Sequence, residues 1–491
     1  EAMLPKAKIK NPKVRNFFTR CIPWLSPSLK SAIRLGLIQW KFPWRAVSFG
    51  FMFKFKSTRT CALTWVIYST LTLGCATGTP SLSGPEKKEI LPLAGDYRVH
   101  RYRFDNGLKL LVVEDHSSPT FSYQTWYNVG SRHEKIGRTG LAHLFEHMMF
   151  KQTKNLKDGE FSKKLDELGA QGENAFTTQD YTAYIQELPV NSASSDHESN
   201  LELITRFEAE RMTQLVVDEK AFKTETEVVQ NERRFRYENN ADGAIYQELF
   251  DLSFNKHPYH WPVIGYQQDL DAMSSDNAVD FYRNYYNPSR TVIAVSGDVI
   301  PDEVSNFVKK HYGSLLGSSP PSAQYEQEPP QTAPRRKALP LNVQVEKLAM
   351  SYHIPGILQE DVPTLSVIEA ILSGGKSSRL HRALVDTGVA SAIEIYDGET
   401  VDPGLFSFFV NFQKGKRATM GESIILKELE ELKKKPVPDP ELEKAKNRIR
   451  FTYFQDLESN YRKTHFIGLY ETIAGDFTFG PRMIEQIGQI T

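Results

Sequence analysis

Cysteine is scarce in this chain and is confined to its first part. The 491 residues include three cysteines, Cys21, Cys61 and Cys75, and none follows. The long segment after Cys75 therefore cannot contain a disulfide within itself or a metal site with cysteine ligands. Any metal ion bound in that segment has to take histidine and carboxylate ligands.

Acidic residues are missing from the same first part. No Asp or Glu lies between Ala2 and Pro85, although this stretch holds 13 of the 60 Lys and Arg. Only one of the 60 acidic residues precedes Glu86, so the remainder of the chain carries 47 basic and 59 acidic residues. Such an acidic body argues against nucleic acid as a partner.

The leader predicts export. Residues 52–75 are interpreted as a signal peptide, because a basic start is followed by an uncharged apolar run of 15 residues at 60–74, too short for a comfortable membrane span. The run ends in a lipobox-like LTLGC, so we expect a lipid anchor at Cys75 and a location in the bacterial cell envelope, on the periplasmic side. A mitochondrial location is the alternative, since an acid-free leader is also typical of transit peptides.

The rest of the chain, before and after this signal peptide, is predicted to contain five segments. Residues 1–51 are an uncertain leader, for which translated upstream sequence is the favoured interpretation, and 76–96 are interpreted as a tether. The body is predicted as a first domain at 97–316, a Pro-rich linker at 317–340 and a second domain at 341–491. Short strands mixed with helices indicate an α+β fold, each half a largely antiparallel sheet packed with helices. We expect the second half to be C-terminally incomplete.

One predicted helix, at 140–151, carries the chemistry. His143 and His147 lie four residues apart and therefore share a helix face, so both imidazoles can reach one ion. Glu146 lies beside them and is placed to take a proton from water at that ion. This H-x-x-E-H spacing is the inverted zincin pattern. The alternative is a packed helix with two satisfied histidines.

A third ligand is needed, and a second helix offers two candidates. Glu225 and Glu232 are seven residues apart, so they share a face of the helix predicted at 218–238. Either one is able to ligate while the other supports a histidine from outside the first shell of ligands. A solvated charged face is the alternative interpretation.

The ordered motifs resemble the pitrilysin/insulinase-like (M16) zinc peptidases, in the short branch that includes mitochondrial processing peptidase. The resemblance implies a Zn²⁺-dependent endopeptidase acting on extended or unfolded peptides, with 97–316 as the catalytic domain. It makes Glu232 the third ligand and Glu225 a supporting carboxylate, and it places Asn174 and Ala175 on a strand that pairs with the substrate backbone. The matching segments lie at 104–108, 127–131, 139–150, 172–177, 225–232, 257–259, 263–265, 285–288, 297–298 and 372–380.

One departure from the family pattern bears on partners. Complete proteases of the family carry a substrate-holding Arg and Tyr in the second half, whereas this chain has Val385 near the Arg position and Ser391 at the Tyr position. We therefore expect a heterodimer with a second M16-like subunit that supplies the pair, or else a homodimer. A non-catalytic peptide-binding or assembly subunit on the same fold is the alternative function.

Overall fold

The computed structural model describes residues 87–191, 198–318 and 325–491. The uncertain leader, the signal peptide with Cys75, the first part of the tether and part of the Pro-rich linker lie outside the described residues. Among the described residues, none of the helices combines the length and the hydrophobicity that a membrane crossing requires.

The described chain forms ten strands and thirteen α-helices, with short 3₁₀ and π turns between them. The strands are β1 Lys87–Ala94, β2 Tyr97–Arg103, β3 Lys109–Glu114, β4 Thr120–Tyr127, β5 Gln171–Thr177, β6 Thr182–Pro189, β7 Thr291–Gly297, β8 Lys347–Ile354, β9 Ala390–Tyr396 and β10 Gly404–Phe412. The helices are α1 Leu141–Met148, α2 Glu160–Glu167, α3 Asn200–Gln214, α4 Glu219–Arg233, α5 Ala241–Ser253, α6 Gln267–Ala272, α7 Ser275–Tyr285, α8 Pro301–Tyr312, α9 Val362–Ser373, α10 Ala418–Lys434, α11 Asp439–Gln455, α12 Asn460–Ile473 and α13 Phe479–Gln489.

The strands form two sheets, one in each half. The first sheet has seven strands in the order β1-β2-β3-β7-β4-β6-β5, and the second has three in the order β8-β10-β9. Every pairing is antiparallel except that of β3 with β7. The predicted fold class, α+β with two halves that each pack a largely antiparallel sheet with helices, is confirmed.

Both faces of the first sheet are buried, which explains the uninterrupted apolar runs in β3 and β7. On β7, Ile293 and Val295 join the core formed with α1, α3, α4, α7 and α8. Val292 and Ala294 point the other way, into a core shared with α9, α11, α12 and α13. Helices of the second half therefore cover the far face of the first sheet, and α12 crosses β4 and β7 directly.

Regular structure is present within the segment that the sequence predicts as a tether. Lys87–Ala94 pairs with β2 as an edge strand, and Leu93 is buried, although this segment was predicted as the end of a tether. That prediction is wrong from Lys87 onward. The prediction rested on Gly and Pro residues, and Gly84 and Pro85 lie before the strand. Within β1 itself, buried and exposed side chains alternate too briefly to give a clear strand pattern.

Candidate metal centre

Two helices, α1 and α4, bring the predicted ligands together. The buried side chains of Leu144, Phe145 and Met148 fix the rotation of α1 against the core, and this rotation sets the direction of His143 and His147. Helix α4 begins at Asp218, whose carboxylate accepts the Ala221 N–H at 2.8 Å, an ordinary N-cap. The core contacts of α4 then turn Glu225 and Glu232 towards α1.

The three predicted ligands converge on one point. Glu232 Oε2 lies 3.4 Å from His147 Nε2 and 3.7 Å from His143 Nε2. Their ligating atoms all lie within 4.8 Å of one another. Glu232 Oε2 is buried, and no described residue donates it a well-formed hydrogen bond. Arg236 pairs with the other oxygen, Oε1, so Oε2 is the oxygen that is available to a metal ion.

These distances fit zinc. At Zn–N and Zn–O distances of about 2.0–2.1 Å, tetrahedral geometry separates neighbouring ligand atoms by about 3.3–3.4 Å. The observed 3.4 and 3.7 Å are close to this separation. Two imidazoles and one carboxylate are also the protein ligands of a known class of catalytic zinc site, which keeps its fourth position open.

Glu225 contacts the predicted ligand His147 from the side away from Glu232. Its Oε2 lies 3.5 Å from Nδ1 of His147, on the opposite side of that ring from Glu232. Lys151 in turn holds the other oxygen of Glu225 at 2.6 Å. Although burial alone would raise the pKa of the Glu225 carboxyl, hydrogen bonds from His147 and Lys151 lower it. The carboxylate is therefore placed to orient His147 through its outer nitrogen.

Glu146 occupies the position that a proton acceptor needs. It follows His143 by three residues on α1, and its Oε2 accepts a 2.6 Å hydrogen bond from the hydroxyl of Thr177. Burial raises the pKa of the Glu146 carboxyl. A carboxyl with a raised pKa is a stronger base and holds a proton more readily near neutral pH.

The predicted substrate strand is an edge strand. Asn174 pairs with Ile185 and Ala175 with Tyr184 on β6, and within the described chain no strand pairs with the outer side of β5. The same strand ends at Thr177, which contacts Glu146. The open edge therefore runs directly to the carboxylate.

A second group of possible ligands does not match this centre. Glu198, Glu202 and His311 also bring their polar atoms within 4.8 Å. However, Arg206 already pairs with Glu198, and Lys310 pairs with Glu202. Unlike Glu232, neither of these two carboxylates has a buried oxygen without a hydrogen-bond partner, so the group is an ordinary surface ion-pair network.

Val385 and Ser391, which stand where the family has its substrate-holding Arg and Tyr, both lie in the second half. Val385 lies in a π turn, His381–Asp386, immediately before β9. Ser391 is exposed on β9, where its hydroxyl donates to the Asn411 carbonyl at 3.0 Å. Neither side chain offers a cation or a phenol.

Some residues of the site were not identified from the sequence. Arg236 pairs with Glu232 from the next helical turn, and Lys151 pairs with Glu225. Both lie four residues after a site residue, an offset that does signal a shared helix face. Thr177 carried no comparable signal, since its contact with Glu146 depends on how β5 packs against α1.

The fold and the site together define an α+β protein whose helix α1 carries the H-x-x-E-H spacing and whose nearby side chains could hold one metal ion. The profile described as Insulinase (Peptidase family M16) matches residues 109–264, and that described as Peptidase M16 inactive domain matches residues 272–449. "Zinc protease PqqE" of Helicobacter pylori is 32% identical over 360 residues, which cover 72% of this chain and 79% of that protein. The chain belongs to peptidase family M16.

Other relatives agree with this assignment. The "Uncharacterized zinc protease YmxG" of Bacillus subtilis is 25% identical over 393 residues, covering 80% of this chain and 92% of that protein. The crystal structure of a protease from Helicobacter pylori matches with a TM-score of 0.73 and 30% identity, over 83% of this chain and 94% of that chain. A peptidase M16 inactive domain from Pseudomonas fluorescens, 17% identical, shares the fold with a TM-score of 0.69 over 80% of this chain and 92% of that chain.

Proposed function

We propose that this chain is a zinc-dependent endopeptidase that hydrolyses extended or unfolded peptides, with His143, His147 and Glu232 as the metal ligands and Glu146 as the general base. The observation that carries the proposal is the convergence of the three ligating atoms beside a carboxylate held by Thr177. Its relatives are named zinc proteases.

Each side chain of the site has a separate role in the proposed peptide hydrolysis. A zinc ion, when bound, would polarise the scissile carbonyl and acidify a water molecule. Glu146 takes the proton released as the water attacks, and its raised pKa lets it hold that proton for the departing amine. Thr177 fixes one carboxylate oxygen and leaves the other for this proton. Glu225 keeps His147 in its ligating orientation.

The preference for extended peptide follows from β5. A peptide that adds to the open edge through main-chain hydrogen bonds would be read through its backbone and not through its sequence. Because β5 ends at Thr177, such a peptide would lie alongside Glu146. Folded proteins cannot supply a free strand of this kind, so we expect them to be poor substrates.

The match to an inactive domain does not weaken the proposal. That profile covers residues 272–449, whereas every proposed ligand and the general base precede residue 272 and fall within 109–264. The profile that carries the word inactive thus begins near the end of the first half, after all the proposed site residues, and lies mostly over the second half. The competing function, a non-catalytic peptide-binding subunit, predicts that the metal centre has no part in turnover.

The test is Glu146→Gln in the full chain. Because Gln is nearly the same size but cannot accept the proton, we expect zinc content to be retained and hydrolysis of an unfolded, fluorescently labelled casein to fall at least about 100-fold. Glu167→Gln, an exposed carboxylate on α2, serves as the matched control. Equal turnover by the wild type and Glu146→Gln, or a wild-type protein without zinc, would refute the proposed mechanism.

We also propose that the working enzyme is an oligomer, either a heterodimer with a second M16-like subunit that supplies an Arg/Tyr pair or a homodimer. The support is chemical, since Val385 has no hydrogen-bond donor in its side chain and the Ser391 hydroxyl already donates to the Asn411 carbonyl. Attachment to the cell envelope through Cys75, or import into mitochondria, stays a proposal as well.

The missing pair can be tested by supplying it. We expect Val385→Arg combined with Ser391→Tyr to raise kcat/KM of the isolated chain about tenfold, because two new hydrogen bonds to substrate are worth about 1.4 kcal/mol or more. Lys414→Arg with Ser423→Tyr, two substitutions elsewhere in the second half, is the control for nonspecific effects. No gain from the first combination would mean that the pair is not what limits the isolated chain.

A further inference from the structure

The helix that carries the metal ligands has no N-cap of its own. Helix α1 is only eight residues long and begins after Gly140, which has no side chain and a φ of 94°. A short helix gains little from its internal hydrogen bonds, and its first N–H groups need outside acceptors. The position of its first turn, where His143 lies, must therefore be fixed by another part of the chain.

One buried carboxylate supplies those acceptors. Glu134 Oε2 accepts the Gly140 N–H at 2.8 Å, and Glu134 Oε1 accepts the Ala142 N–H at 2.7 Å. The side chain is 6% exposed, so water does not compete strongly for these bonds. Both oxygens are engaged with the turn that leads directly into His143.

Glu134 is itself held on a rigid support, the 3₁₀ turn Ser131–His133 that precedes it. Trp261 Nε1 donates to the Ser131 carbonyl at 3.0 Å, and the Tyr285 hydroxyl donates to the His133 carbonyl at 3.2 Å. Arg132, between them, lies 2.9 Å from Asp180 and 2.8 Å from Asp402, which belongs to the second half. The turn is thus held by four separate segments of the chain.

From this geometry we propose that Glu134 is a positioning residue for the metal centre, which sets the place of His143 and, one turn later, of Glu146 by capping α1 from outside. The inference rests on the proposed zinc peptidase function. Glu134 touches neither the ligating atoms nor substrate, and it acts through the backbone of Gly140 and Ala142.

Zinc binding tests the role directly and does not require turnover. In the full chain, we expect Glu134→Ala to lower zinc affinity roughly 10- to 100-fold, the range seen when an outer partner of a metal ligand is lost. Affinity is measured by competition with a chromophoric chelator. Glu134→Gln keeps one carbonyl acceptor and should lose less. The visible spectrum of the Co²⁺-substituted protein should change with Glu134→Ala, because the ligand geometry changes.

A matched cap elsewhere separates positioning from a general loss of stability. Ser199 caps α3, which carries no residue of the centre, by accepting the Glu202 N–H. Ser199→Ala should lower the unfolding temperature but leave zinc affinity and the Co²⁺ spectrum unchanged. With casein as substrate, Glu134→Gln should lower kcat more than it raises KM.

The outcomes are distinct. If Glu134→Ala does not fold, Glu134→Gln decides the question, since it preserves the size of the side chain. Zinc affinity within twofold of the wild type in the folded Glu134 variants would overturn the positioning role. A wild-type protein that binds no zinc would instead refute the proposed function on which this role depends.

Discussion

At the scale of single residues, the sequence predicts some of the side chains of the centre and not others. His143 and His147 are four residues apart, and that spacing alone predicts a shared helix face. Spacing could not decide between Glu225 and Glu232, because both lie on one face of α4. The family resemblance favoured Glu232, and the structure places Glu232 beside both imidazoles and Glu225 behind one of them. Glu134 gave no signal, since a loop carboxylate has no periodicity.

The supporting carboxylate yields a prediction at this scale. Glu225→Ala should lower zinc affinity roughly 10- to 100-fold, because His147 loses the partner that orients its ring. Glu227, two residues further along α4, is exposed and provides the matched control, Glu227→Ala. Chelator competition measures both. Identical affinities for the two variants would show that Glu225 does not support the centre.

At the scale of elements, strands and helices were predicted well wherever a periodic apolar pattern was long enough. The helix predicted at 140–151 is Leu141–Met148 in the structure, and the helix predicted at 218–238 is Glu219–Arg233 followed by a π-helical segment at Arg234–Glu238. The strand β1 was missed because half of its residues are exposed at the edge of a sheet and only one is buried. The packing of α12 on the first sheet was not predictable, since it joins residues more than 300 positions apart in sequence.

The close approach of α12 gives a prediction for this element. A Cβ added at Gly468 would lie 2.2 Å from Trp126 Nε1, so Gly468→Ala forces the helix away from the sheet. We expect a net loss of about 1–3 kcal/mol of unfolding free energy, even though alanine favours a helix by about 1 kcal/mol over glycine. Urea unfolding measures the change. Ser423→Ala, exposed on α10, should change stability by less than about 0.5 kcal/mol, and an equal effect of both would contradict the steric argument.

At the scale of the whole molecule, the two halves are joined by buried polar contacts as well as by apolar packing. Lys463 on α12 is fully buried and pairs with Asp115, which follows β3 in the first half. Its ammonium also lies 4.3 Å from the centre of the Tyr97 ring. Removing one member of such a pair leaves the other charge buried and unpaired, which typically costs about 3–5 kcal/mol.

This pair predicts how stability depends on acidity. Burial alone would raise the pKa of Asp115, but hydrogen bonds from Lys463 and Ser117 together outweigh it and lower the pKa to about 2, from an ordinary 3.8. These contacts of the Asp115 carboxylate should therefore stabilise the fold fully above about pH 4, and this contribution should be lost as the pH falls towards 2. The loss amounts to about 2 kcal/mol.

Asp115→Asn isolates that contribution. The difference in unfolding free energy between the wild type and this variant should shrink between pH 5 and pH 2, as followed by urea unfolding at each pH. The double replacement Asp115→Leu with Lys463→Met should be more stable than Asp115→Asn, because it removes both buried charges. A difference between wild type and Asp115→Asn that does not vary with pH would contradict the predicted titration.

Helices of the second half cover the far face of the first sheet, and this affects how the chain folds during synthesis at the ribosome. The last strand of that sheet ends at Gly297, and the helix that shields its far face begins at Asn460, about 160 residues later. At 5–20 residues per second, translation of that stretch takes roughly 10–30 s. During this interval Trp126 and its apolar neighbours on the far face lack α12, the helix that packs directly on β4 and β7, so we expect the nascent first half to be prone to aggregation until α12 emerges.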